Sequence, residues 1–152
     1  MAYSSGQPST TSTTRPAREP QQLFALLIGV VYTLVGLVGF AVTGFGGFTA
    51  LNPENNLLGF AINPLHNVVH LVIGLVGIAL WSTPRGARTY GWLLFVGYAA
   101  AFVYGLVAVN NSDVNFLNIN GADNGLHIAS ALAGLAIALW PRRTAARDTV
   151  TS

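Results

Sequence analysis

Three histidines, the only imidazoles in the chain, each follow an asparagine by three residues: Asn63-x-x-His66, Asn67-x-x-His70 and Asn124-x-x-His127. Imidazole ligates transition metals and haem iron, and it exchanges a proton near neutral pH. On a helix, separations of three and four share a face, so His66 and His70 stack with Asn63 and Asn67 beside them, and Gly74 and Gly77 continue that stripe. His127 is followed on its own stripe by Ala131 and Gly134. Small residues directly below histidines leave room for another helix or for a flat ligand.

The elements that must carry these groups follow from composition. Of 152 residues 52% are hydrophobic and 8% charged, with mean hydropathy +0.53, whereas a soluble domain carries about a quarter charged residues. So few charges cannot coat a small water-facing domain, and the expectation is an all-α integral membrane protein of the cell membrane. Residues 1–22, rich in Ser, Thr, Pro and Gln, hold no apolar run and are expected to be a disordered tail. The membrane domain is expected over 23–141, with uncharged spans at about 23–45, 64–81, 90–109 and 124–140, and a second tail over 142–152. The first run, at roughly 1.5 Å per residue, is long enough for a hydrocarbon core of about 30 Å. It follows a long polar stretch, which favours a retained anchor over a cleaved signal peptide.

Arginine placement orients the chain. Arg15 and Arg18 precede the first span, Arg85 and Arg88 lie between the second and third, and Arg142, Arg143 and Arg147 follow the fourth. The other two connections hold no Arg but carry Glu54, Asp113 and Asp123. The excess of basic residues marks the cytoplasmic side, so both termini are expected there, with Trp81, Trp92 and Trp140 as anchors at that interface. Residues 55–70 (NNLLGFAINPLHNVVH) and 115–127 (NFLNINGADNGLH) both lead through Asn and a Leu-His pair into a span, an internal repeat that predicts two tandem helical hairpins. Counting helical rise from Trp81 and Trp140 places His70 roughly 16 Å, His127 roughly 20 Å and His66 roughly 22 Å from the tryptophans, a convergence within one leaflet.

Several chemistries suit that convergence. Asn63 before Pro64, and Asp123 or Asn124 before Gly125, are good helix starts, and with Asn67 the His and Asn side chains can hydrogen-bond between helices, which makes a structural or accessory protein locked by a His/Asn cluster the leading expectation. The alternative is a metal site of His66, His70 and His127, or a haem held by His70 and His127 as an axial pair. A proton-relay role lacks ionisable stepping stones in the other half of the spans. Ser130 lies within reach of His127 on one helix face, but no third triad member accompanies it, and no enzymatic activity is expected. The absence of Cys excludes disulfides, thiolate zinc and a cysteine nucleophile. Gly44 to Gly47 lacks the Lys and spacing of a phosphate loop, and the scattered arginines make no nucleic-acid stripe. The expected partners are the lipid bilayer and a second copy or another membrane protein.

The run Asn63-Pro64-Leu65-His66-Asn67-Val68-Val69-His70 with LVIGLVGIALW after it, and Ala122-Asp123-Asn124-Gly125-Leu126-His127, resemble the signatures of a bacterial, mostly actinobacterial, family classed as a domain of unknown function. Its members are small four-helix membrane proteins with N-P-x-H-N-x-x-H at the second span and A-D-x-x-L-H at the fourth. The resemblance covers about residues 20 to 141. It implies fold and membrane location and draws attention to His66, His70, Asp123 and His127, without a substrate or cofactor.

Overall fold

Each helix begins where local chemistry satisfies its first free N–H groups. The side-chain oxygen of Asn63 accepts from His66 N at 2.9 Å, that of Thr83 from Gly86 N at 3.0 Å and that of Asn120 from Asp123 N at 3.1 Å. Proline stands at the first turn of three of the four helices, where its missing N–H costs nothing. The computed structural model describes residues 17–141. It contains α1 (Pro20–Thr43), a small antiparallel hairpin of β1 (Asn56–Leu57) and β2 (Phe60–Ala61), then α2 (Pro64–Leu80), α3 (Pro84–Ala108) and α4 (Gly121–Leu139).

α1, α3 and α4 are long and apolar enough to cross a membrane, while α2 is equally apolar but has 17 residues. That is about 25 Å of helix, a few ångströms short of a typical hydrocarbon core. Its length is set by Asn63-Pro64 at one end and by the Ser82-Thr83-Pro84 turn at the other. α3 begins at Pro84, ahead of the apolar run at Tyr90, so Arg85 and Arg88 stand on the helix itself.

The tail expected over residues 1–22 is corrected at its last residues. Pro20–Gln22 are helical, with Gln21 and Gln22 buried. Gln22 accepts the Glu19 N–H at 3.0 Å and donates to the Trp81 carbonyl at 3.2 Å, so tertiary partners overcome the polar composition. Residues 1–16, and the expected tail at 142–152, lie outside the described residues. Arg18 and Arg88 cap the nearby helix ends, the first donating to Ser82 O at 2.5 Å and the second to Trp140 O at 2.8 Å. Cations at these negative dipole ends stabilise them.

α1 packs chiefly on α2 and α3 chiefly on α4. The same device serves both seams. A Cβ on Gly29 would lie 2.8 Å from Ile78 N and one on Gly91 2.6 Å from Ala138 N, distances no side chain tolerates. Gly74 and Gly134 reciprocate, their Cβ positions meeting the carbonyls of Gly29 at 2.7 Å and Gly91 at 2.8 Å. Close backbone approach through small residues is how helices associate where lipid supplies no hydrophobic driving force. Gly97 takes no part, having open space around it. The interior is small and holds Ala25, Tyr32, Tyr90, Leu94, Tyr98 and Ala131, whereas Leu27, Leu34, Val96, Val103 and Leu132 are each more than half exposed. An apolar exterior around a narrow polar-aromatic interior suits a lipid environment and not water.

Candidate functional site

The end of the bundle away from the arginines is knitted together by amides. Asn63 donates to the Phe116 carbonyl at 2.8 Å, and Asn118 donates to both Asn52 O at 3.0 Å and Ile62 O at 2.8 Å. Asn120 donates to Gly59 O at 2.9 Å. The Asp123 carboxylate accepts from Asn120 N at 2.8 Å, completing a capping box, and from Ala61 N at 3.1 Å across the bundle. These bonds join the α1–α2 connection to the α3–α4 connection. The cap of α4 is therefore Asn120, not Asp123 or Asn124, because Asp123 sits at the third helical position where its carboxylate reaches back.

Beneath that layer lies a closed circuit of five aromatic rings drawn from all four helices. His66 and His70 have centroids 4.4 Å apart; His70 lies 5.2 Å from Tyr32, Tyr32 5.3 Å from Tyr98, Tyr98 5.6 Å from His127, and His127 6.3 Å from His66. The sequence-derived triplet thus converges. The Nδ1 atoms of His66, His70 and His127 are all buried without a hydrogen-bond partner among the described residues. Asn67 donates to Thr43 Oγ1 at 2.9 Å, but its Oδ1 and that of Asn124 are also unpartnered, each pressed against a glycine, Gly39 and Gly105 respectively. Ser130 does not pair with His127; its hydroxyl shares a 2.5 Å hydrogen bond with Tyr32.

Among the described residues, no group of three His, Asp or Glu side chains is arranged to hold a metal ion. His70 and His127 are flanked on the circuit by Tyr32 and Tyr98 on one side and by His66 on the other. The space below the histidines that sequence reasoning left to a helix or a flat ligand is taken by a helix: Gly74 abuts Thr33 of α1 and Gly134 abuts Phe95 of α3.

Open space lies to one side of the ring. Of the helix pairs that touch, α1 and α4 share the least contact. Along their seam is a cavity of about 390 Å³. Val31 and Val35 wall it on one side and Ala129 and Ala133 on the other, with Leu58 and Phe60 above. Its polar surface comes from Tyr32, His70 and Ser130 of the interior and Asp123 at the top. A second cavity of about 200 Å³ shares Ile28 and Ala133 with the first and runs on to Phe24 and Trp140. Leu58 stands in the turn of the β1–β2 hairpin with φ +56° and Gly59 with φ +96°, the left-handed pair that a tight two-residue hairpin demands. The turn leaves the Leu58 side chain almost fully exposed beside the cavity mouth.

Sequence reasoning missed Tyr32, Tyr98 and the amides Asn115, Asn118 and Asn120. A tyrosine in mid-span is a usable signal, because its hydroxyl demands a partner in lipid; the loop amides carry none, since polar loop residues are ordinary.

A helical protein with three membrane-capable helices and a buried polar-aromatic centre defines the class. Within it, the chain belongs to the family described as "Domain of unknown function (DUF4383)", whose model matches residues 22–140. No curated protein and no solved structure matches the chain significantly.

Proposed function

We propose that this is a four-span membrane protein, two tandem hairpins with the arginine-bearing end cytoplasmic, that binds a lipid-phase molecule without catalysing a reaction. The carrying observation is the 390 Å³ cavity on the α1–α4 seam, apolar except where Tyr32, His70, Ser130 and Asp123 reach it. Pockets of several hundred Å³ with a few convergent polar groups are the common form of small-molecule sites. In this reading the locking role belongs to the asparagines and Asp123, and His70, the one histidine that lines the cavity, stands with Tyr32 and Ser130 at its polar side. Such a binder acts as an accessory subunit or carrier within the bilayer.

Native mass spectrometry of the full chain released from mild detergent tests this. Wild type should retain a small organic adduct, and Ala129→Phe, at an exposed wall position, should lose it while staying folded. Bare wild-type protein, or an adduct indifferent to the substitution, would remove the basis for the reading. A transition metal on His66, His70 and His127 is the second reading: their bare Nδ1 atoms are metal donors, and the three side chains, not arranged for an ion as they stand, would have to draw together around it. Elemental analysis of protein carrying no histidine tag separates the two: near-stoichiometric zinc, copper or iron, lost on changing His70 or His127, would support it.

A further inference from the structure

From the cavity's chemistry we infer the class of its occupant: a neutral lipid whose head offers a hydroxyl or carbonyl, its head at the Tyr32–Ser130 pair and its tail along the α1–α4 seam. This rests on the binding reading above and makes it specific.

The charge of the head is decided by what lines the cavity. No Arg or Lys is among the lining residues, and the one formal charge group, Asp123, is a carboxylate. A phosphate, sulfonate or carboxylate head would enter a low-dielectric site with no counter-charge, which costs several kcal/mol. A cationic head would find only Asp123, whose Oδ2 is already held by two backbone N–H groups. A neutral head meets groups that fit it. The two hydroxyls of the Tyr32–Ser130 pair share one 2.5 Å hydrogen bond, which leaves a second hydrogen-bonding site on that pair, and the His70 ring lines the cavity beside it.

The path of the tail follows the seam. The smaller cavity shares Ile28 and Ala133 with the main one and runs on to Phe24 and Trp140, whose rings stand 5.9 Å apart. Exposed Leu27, Val31 and Ala129 leave the mouth open sideways to lipid, so a tail slides in from the bilayer without its head crossing the membrane.

The test uses the full chain in phosphatidylcholine nanodiscs and two photoreactive probes with identical diazirine-bearing tails, one a long-chain alcohol and the other the matching carboxylate. The alcohol should label α1 and α4 saturably. Ser130→Ala, close in shape to the native residue, should raise its half-saturating concentration about fivefold, the equivalent of one lost hydrogen bond. Ala129→Phe should abolish the labelling. Equal or stronger saturable labelling by the carboxylate, blocked by Ala129→Phe, would overturn the neutral-head assignment while leaving the cavity a binding site. Alcohol labelling that Ser130→Ala leaves unchanged would overturn the head contacts. Labelling by neither probe, or labelling that Ala129→Phe does not affect, would sink the cavity reading itself.

Discussion

Asn118 joins the two connections at the amide-rich end, and replacing it with alanine should destabilise the protein more than any other single loop change there. Its Nδ2 donates to Ile62 O at 2.8 Å and to Asn52 O at 3.0 Å, and its backbone is left-handed, with φ +52°. The side chain is buried, so water does not replace both bonds. Each lost bond is worth about 0.5–1.5 kcal/mol, rising to about 1–3 where the abandoned carbonyl stays buried. Alanine also resists the left-handed region by about 1–2 kcal/mol, a conformation asparagine tolerates. The sum for Asn118→Ala is roughly 2–5 kcal/mol. Asn118→Gly removes the same two bonds but accepts the backbone, at an unfolded-state entropy cost of about 0.5–1 kcal/mol, and so should recover some of the loss. The assay is unfolding of the full chain in mixed micelles by titration with sodium dodecyl sulfate, followed by tryptophan fluorescence and circular dichroism. The expected order is wild type, then Gly, then Ala. An alanine variant within about 0.5 kcal/mol of wild type would show that these bonds do not hold the loops. An alanine variant above glycine would show that the backbone is not left-handed.

Three mutant cycles address the interior. A methyl at Gly39 would collide with the Asn67 side-chain oxygen, an overpacking cost of about 1–3 kcal/mol offset by about 1 kcal/mol of helix propensity. Asn67→Ala should therefore rescue Gly39→Ala with a coupling of about 1 kcal/mol in the same unfolding assay, and Gly105→Ala with Asn124→Ala should behave alike; simple additivity would contradict the contact. For the 2.5 Å Tyr32–Ser130 bond, Tyr32→Phe and Ser130→Ala should couple by about 0.6 and at most about 1.7 kcal/mol, and the absence of coupling would mean the hydroxyls find other partners.

Much of the architecture is legible from local rules. Asn63-Pro64 and Thr83-Pro84 announce helix starts because the cap and the proline act within one turn. The apolar runs set helix length, and the Asn-x-x-His spacing places His66 over His70 on one face. Other features were misjudged because distant partners decide them. Gln21 and Gln22 read as tail until Trp81 offers Gln22 a carbonyl, and no local rule points Ser130 to Tyr32, far away in sequence.

The sequence by itself determined the helical class, the membrane-capable lengths and the three buried imidazoles, because these depend on composition and on repeats within a few residues. Only the tertiary structure decided that Tyr32 and Tyr98 close a ring with them, that loop amides tie the two connections, and that a cavity follows the α1–α4 seam. Those outcomes depend on how four helices settle against one another. Paired glycines draw α1 onto α2 and α3 onto α4, while the α1–α4 seam stays loose enough to hold open space beside His70.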